Sequence, residues 1–131
     1  MNMKRYTILF AIFFLAFTCF SKDLVIAQKG RTSNYQIVYP NWSSTFSSWS
    51  MYEYVQFAGT FLQKSIKDAT GVTLSLVSES SMKPSKHSIY IGSTNALKAA
   101  GLSTEDFAQW EHAIAVRGDD IFIYGTDWAT P

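Results

Sequence analysis

Ser88-Ile89-Tyr90-Ile91-Gly92-Ser93-Thr94-Asn95-Ala96-Leu97, continued by Ile114-Ala115-Val116-Arg117-Gly118-Asp119-Asp120-Ile121-Phe122-Ile123-Tyr124-Gly125, is the stretch that decides the fold. Ile89-Tyr90-Ile91-Gly92 reads as a short strand of the buried type, apolar on both faces. Thr94 to Ala100 reads as a short helix closed by Gly101, and Thr104 to Trp110 as a second short helical segment. His112 to Arg117 and Ile121 to Tyr124 flank Gly118-Asp119-Asp120, a turn-rich connection that makes a hairpin. This unit is well specified and contains no set of residues able to carry out chemistry.

Upstream, the best-defined element is a helix. Ser50 and Glu53 have the spacing of a capping box, with Ser50 at the N-cap. Met51, Tyr54, Val55, Ala58, Phe61, Leu62, Ile66 and Ala69 then recur at helical spacing as one continuous face that covers a sheet. Gly71 supplies the stop. Asp23 to Ala27 and Tyr35 to Tyr39 read as strands, the latter closed by Pro40, and Val72 to Val77 alternates as another. Ser78 to Lys86 is a polar loop containing Pro84. The expected fold is α/β, of the α+β sandwich kind, with a mixed β-sheet of about five or six strands and one main amphipathic helix on a face. Thr130 is a good N-cap and Pro131 a good first helical residue, so a terminal helix is expected to be missing and the domain truncated at its C-terminus.

Residues 1–21 read as a signal peptide. Lys4 and Arg5 precede an apolar run from Ile8 to Phe20 that suits a secretory h-region and is short for a membrane span. The expected location is secreted or periplasmic, with lipoprotein attachment at Cys19 as an alternative. Cutting after Ser21 leaves residues 22–131 as the domain and takes the net charge from +1 to −1, because Lys4 and Arg5 leave and no acid does. The remaining charges are scattered along the sequence, with no basic stripe to follow a nucleic-acid backbone. The mature chain has no cysteine, so packing alone must hold the fold.

Candidate chemistry is sparse. His87 and His112 are the only histidines, and neither has a partner at metal-ligand spacing. Asp119-Asp120 and Glu105-Asp106 are adjacent pairs, whereas glycoside hydrolysis needs two carboxyls facing each other across a sugar, about 5 to 10 Å apart. Ser43, Ser44, Ser47 and Ser48 lack a nearby histidine and a nucleophile elbow. No catalytic residue, metal or cofactor is assigned. Trp42, Phe46 and Trp49, in the Ser-rich loop before the helix, are the one set that suggests binding, because aromatic rings stack on sugar faces.

Three pieces carry a family resemblance. They are Phe61-Leu62-Gln63-Lys64 leading into Ala69-Thr70-Gly71-Val72-Thr73-Leu74, then Ile89-Tyr90-Ile91-Gly92-Ser93-Thr94, then Ile114 to Gly125. In order and spacing they resemble the small N-terminal α/β domain of secreted glycoside hydrolases such as xylan α-glucuronidases and β-N-acetylhexosaminidases. The resemblance implies a non-catalytic accessory domain whose partner is the catalytic barrel of the same parent polypeptide, with polysaccharide as a further partner. In such enzymes the catalytic carboxylates belong to the barrel, and the small domain continues past its hairpin into a helix. The Ser- and aromatic-rich insert before the helix is longer than that pattern expects. The alternative is a stand-alone carbohydrate-binding module using Trp42, Phe46 and Trp49.

Overall fold

The computed structural model describes residues 23–42 and 49–126, and only the backbone of helix residues 49–51. Along the chain come β1 (Tyr35–Tyr39), α1 (Trp49–Thr70), β2 (Ser75–Ser78), a 3₁₀ turn (Glu79–Ser81), β3 (His87–Ile91), α2 (Asn95–Ala99), β4 (His112–Arg117) and β5 (Asp120–Gly125). The strands lie in the order β2-β1-β3-β5-β4. All neighbours are parallel except β4, which pairs antiparallel with β5 along the outer edge. The result is a mixed five-stranded sheet with one main helix, an α+β fold.

Strand alternation builds two cores. Register places Leu76, Ile37, Ile89, Ile121 and Val116 in one row across all five strands. This row faces α1, whose Val55, Leu62 and Ile66 pack on it. The next row, Val77, Val38, Tyr90, Phe122 and Ala115, faces the other way and is covered by α2 and the segment after it, through Leu97, Leu102 and Phe107. Gly59 sits where α1 meets the sheet, and a Cβ there would approach Leu76 Cδ1 to 2.7 Å. The crossovers share one hand, as the rule for parallel connections demands: β1 to β2 travels one way over one face, and β2 to β3 and β3 to β5 travel back over the other.

Several expected elements differ from those observed. Asp23 to Ala27 forms no strand: Leu24 and Ile26 pack on the core, but the Ile26 carbonyl accepts from Ser33 Oγ and not from a ladder. Its apolar side chains are used in packing, while its backbone joins neither outer strand of the sheet. The helix is described from Trp49 onward, and the side chain of Ser50, the expected N-cap, lies outside the described residues. Thr104 to Trp110 forms turns, tied by Phe107 N–H to the Thr104 carbonyl at 3.0 Å and Glu111 N–H to the Ala108 carbonyl at 3.0 Å. Trp110 there adopts φ 67°, a left-handed conformation that a helix cannot contain. The hairpin loop is only Gly118-Asp119, with Arg117 opposite Asp120. Gly118 has φ 62° and Asp119 a negative φ, the pattern of a type II′ turn, which Gly permits at its first position. The leader and the Thr130-Pro131 helix start lie outside the described residues, so they stay expectations from sequence.

Candidate functional site

The most distinctive surface is a half-covered sheet. Along the row that faces α1, exposure rises from Ile37 (0%) through Ile89 (2%) and Ile121 (9%) to Val116 (47%). In the neighbouring row Ile91 is buried, Ile123 half-buried and Ile114 68% exposed. The geometry explains the gradient. A helix is about 10 Å wide and strands are spaced about 4.8 Å apart, so one helix covers two to three strands. α1 lies mainly over β1, β2 and β3, so β5 is only partly covered on that face and β4 is left exposed.

α1 itself has more apolar surface than its sheet contact uses. At about 100° per residue, Tyr52, Val55, Gly59, Leu62 and Ile66 point inward, and Ala58, Tyr54 and Phe61 extend the apolar arc along one flank. Tyr54 (70% exposed) and Phe61 (64%) therefore lie outside the core, although the sequence pattern placed both on the covering face. The opposite flank is polar, with Gln56, Thr60, Lys64 and Lys67. The apolar flank looks across a groove of about 290 Å³ toward Ile123, Trp110 and His112, with Gly92 and Gly125 at its end. Gly125 cannot carry a side chain without displacement, since a Cβ would stand 2.8 Å from the Glu111 carbonyl oxygen.

The carboxyl ends of β1 and β3 form the other place where open α/β sheets bind ligands, because these neighbours send their connections to opposite faces. Its polar groups are turned onto the protein's own backbone. The Glu79 carboxylate accepts from Asn95 N–H (2.8 Å) and Ala96 N–H (3.2 Å), filling the start of α2. Thr94 Oγ1 accepts from Leu97 N–H, and Asn41 Oδ1 from Ser80 N–H. An incoming phosphate would meet a carboxylate there.

Trp42, the first expected sugar contact, is half exposed, with its ring edge-on to Tyr52 at 5.5 Å. Tyr52 in turn meets Tyr39 at 6.2 Å. Burial raises the Tyr52 phenol above its ordinary value and Tyr39 adds to this, while a hydrogen bond with the Trp42 backbone opposes it. Phe46 and the Trp49 side chain lie outside the described residues. The histidines are far apart in the sheet. His87 Nε2 stands 3.8 Å from Asp119 Oδ2 at the start of β3, and His112 lines the groove mouth. Asp120 Oδ1 accepts from Ser88 N–H at 2.8 Å, a structural use. Among the described residues no three His, Cys, Asp or Glu side chains group as a metal site, and no helix is long and apolar enough to cross a membrane. Comparison with protein-family models, with curated proteins and with solved structures finds no match to this chain.

Proposed function

We propose that this chain is the non-catalytic N-terminal accessory domain of a secreted, polysaccharide-degrading glycoside hydrolase of the α-glucuronidase or β-N-acetylhexosaminidase kind. It is exported by the leader at residues 1–21 and supports a catalytic barrel carried by the parent polypeptide. The observation that supports this reading is the apolar groove. Tyr54 and Trp110, both exposed, line it, and Ile114 and Val116 on β4 and Phe61 on α1 are exposed apolar side chains on the elements beside it. Large exposed apolar patches mark interaction surfaces. A helix in the same polypeptide after β5, laid alongside α1, would complete that face and lead into the barrel.

The test compares residues 22–131 alone with the same residues extended by about 20 residues encoded downstream, a length sufficient for one helix across the sheet. The extension is expected to raise the melting temperature and to abolish binding of a hydrophobic dye. Equal melting and equal dye binding would defeat the reading, as would turnover of aryl glucuronides or aryl N-acetylhexosaminides that one Asp or Glu substitution abolishes. Saturable quenching of Trp fluorescence by xylan or chitin oligosaccharides, lost in Trp42→Ala, would select the carbohydrate-binding module instead.

A further inference from the structure

At the opposite, amino-terminal edge of the sheet, three backbone turns from distant parts of the chain meet around an open depression of about 680 Å³. Lys29 and Arg31 come from the turn before β1, closed by Arg31 N–H to the Gln28 carbonyl at 3.1 Å, with Gly30 at φ 77°. Thr73 follows the stop of α1, where Gly71 adopts φ 76° and bonds the Lys67 carbonyl at 2.7 Å. Lys86 comes from the turn before β3, closed by its own N–H on the Lys83 carbonyl at 3.1 Å. No carboxylate lines the depression, and none of the three cations has an ion-pair partner among the described residues. Thr32 and Thr73 add exposed hydroxyls between the charges. The nearby carboxylates have other contacts: Asp119 stands 3.8 Å from His87 Nε2, Asp120 accepts from Ser88 N–H, and Asp68 pairs with Lys64.

We propose that this depression binds an acidic polysaccharide segment, through anionic groups of successive sugar units on Lys29, Arg31 and Lys86 and through sugar hydroxyls on Thr32 and Thr73. The choice of a saccharide rests on the accessory-domain reading; the anionic character rests on the site alone. Lys29 and Arg31 are exposed and Lys86 is half-buried, so the charges keep much of their hydration until the ligand arrives, and three separate charges favour a polymer over a single ion. A single-stranded nucleic acid would call for aromatic platforms, and a membrane surface for an exposed apolar face. Neither lines this edge, where the apolar Val72 is half buried on the core.

Counter-ion release sets the expected signature. Three cations on a flexible polyanion give a slope of log K against log salt of about −2, so affinity falls roughly 20-fold between about 50 and 200 mM salt. The mature protein is titrated calorimetrically with polygalacturonate, with dextran sulfate and with neutral dextran. Binding to one or both acidic polymers with that slope, and none to dextran, is expected, and the tighter arm distinguishes carboxylate from sulfate ester. In Lys29→Ala/Arg31→Ala/Lys86→Ala the slope should approach zero and affinity at low salt fall roughly tenfold or more. Lys64→Ala/Lys98→Ala/Arg117→Ala, with the same charge loss elsewhere, should retain both, and matching melting curves show that all forms are folded. No binding to either polymer at low salt, equal losses in the two triple variants, or equally tight binding of duplex DNA overturns the proposal. Its failure would leave the groove measurements untouched. A groove that fails while this edge binds would make the chain an independent polyanion-binding module.

Discussion

Gln36 offers a sharp test of how the fold holds its working loop. It is 1% exposed, on the face of β1 away from α1, and its amide is fully engaged. Nε2 donates to the Lys83 carbonyl at 2.8 Å and to Ser88 Oγ at 3.0 Å, while Oε1 accepts from Lys83 N–H at 2.9 Å. These bonds fasten the β2–β3 crossover, which carries Glu79 at one end and Lys86 at the other. Gln36→Leu removes all three, at about 1 kcal/mol each. Added apolar burial offsets about 1 kcal/mol, leaving a net loss of about 2 kcal/mol and a fall in melting temperature of roughly 8 °C. Gln36→Glu is more discriminating. Protonated, it reproduces one donor and the acceptor; ionised, it places a carboxylate against the Lys83 carbonyl. Burial and that carbonyl raise its folded pKa above the unfolded value near 4.3, so stability is full below that value and lost as pH rises through the folded one. Chemical denaturation should therefore show Gln36→Glu close to Gln36→Leu at about pH 4 and about 3 kcal/mol worse at pH 7, where wild type shows no such trend from this position. A pH-independent difference between the Glu and Leu variants, or a Leu variant within about 0.5 kcal/mol of wild type, would refute the buried-clamp argument.

Two further outcomes are expected. Glu79→Ala removes both carboxylate bonds at the start of α2 and should cost about 1 kcal/mol, with hydrogen exchange accelerated at Asn95 and Ala96; unchanged exchange there would show that Thr94 caps α2 unaided. At high pH, burial raises the Tyr90 phenol above its ordinary value of 10.0; a hydrogen bond with Ser88 opposes this, and Asp120 and Glu79 add to it. A folded value above the unfolded one means that its contribution is intact below pH 10 and is lost as pH rises beyond it. The melting temperature of Tyr90→Phe should accordingly fall less steeply than that of wild type above pH 10, and parallel curves would contradict that reading.

Much of the architecture was legible because it rests on local chemistry. The alternating run at Tyr35–Tyr39, the apolar run Ile89–Gly92, the long helical period ending at Gly71, and the Gly118-Asp119-Asp120 turn each commit their own backbone, and they appear as strands (the second at His87–Ile91), helix and hairpin. The Asp23–Ala27 segment shows the limit of that logic. An apolar run says which side chains are buried, but a strand also needs its backbone laid against a neighbour, and only the assembled sheet decides that; Leu24 and Ile26 pack on the core without joining it. Turn residues at 104–110 misled in the same way, since helical spacing of Phe107 and Trp110 was overridden by packing of Phe107 on Tyr124 at 5.6 Å and by the left-handed Trp110.

The absence of a local reactive motif was plain from residue types and spacing, because catalytic carboxylates and metal ligands must be drawn from a short inventory of residues. Both surfaces put forward as functional were decided by tertiary structure. The apolar pattern of α1 gives its arc but not how much of that arc the sheet occupies, and strand order is what leaves the outermost strand, β4, exposed. Likewise Lys29, Arg31 and Lys86 are scattered charges in the sequence, 57 positions apart at the extremes. They share one depression because β1 and β3 are parallel neighbours, which brings the turns that precede them to the same edge. Side-chain chemistry and local period belong to the sequence; proximity between distant segments exists only once the strands have chosen their partners.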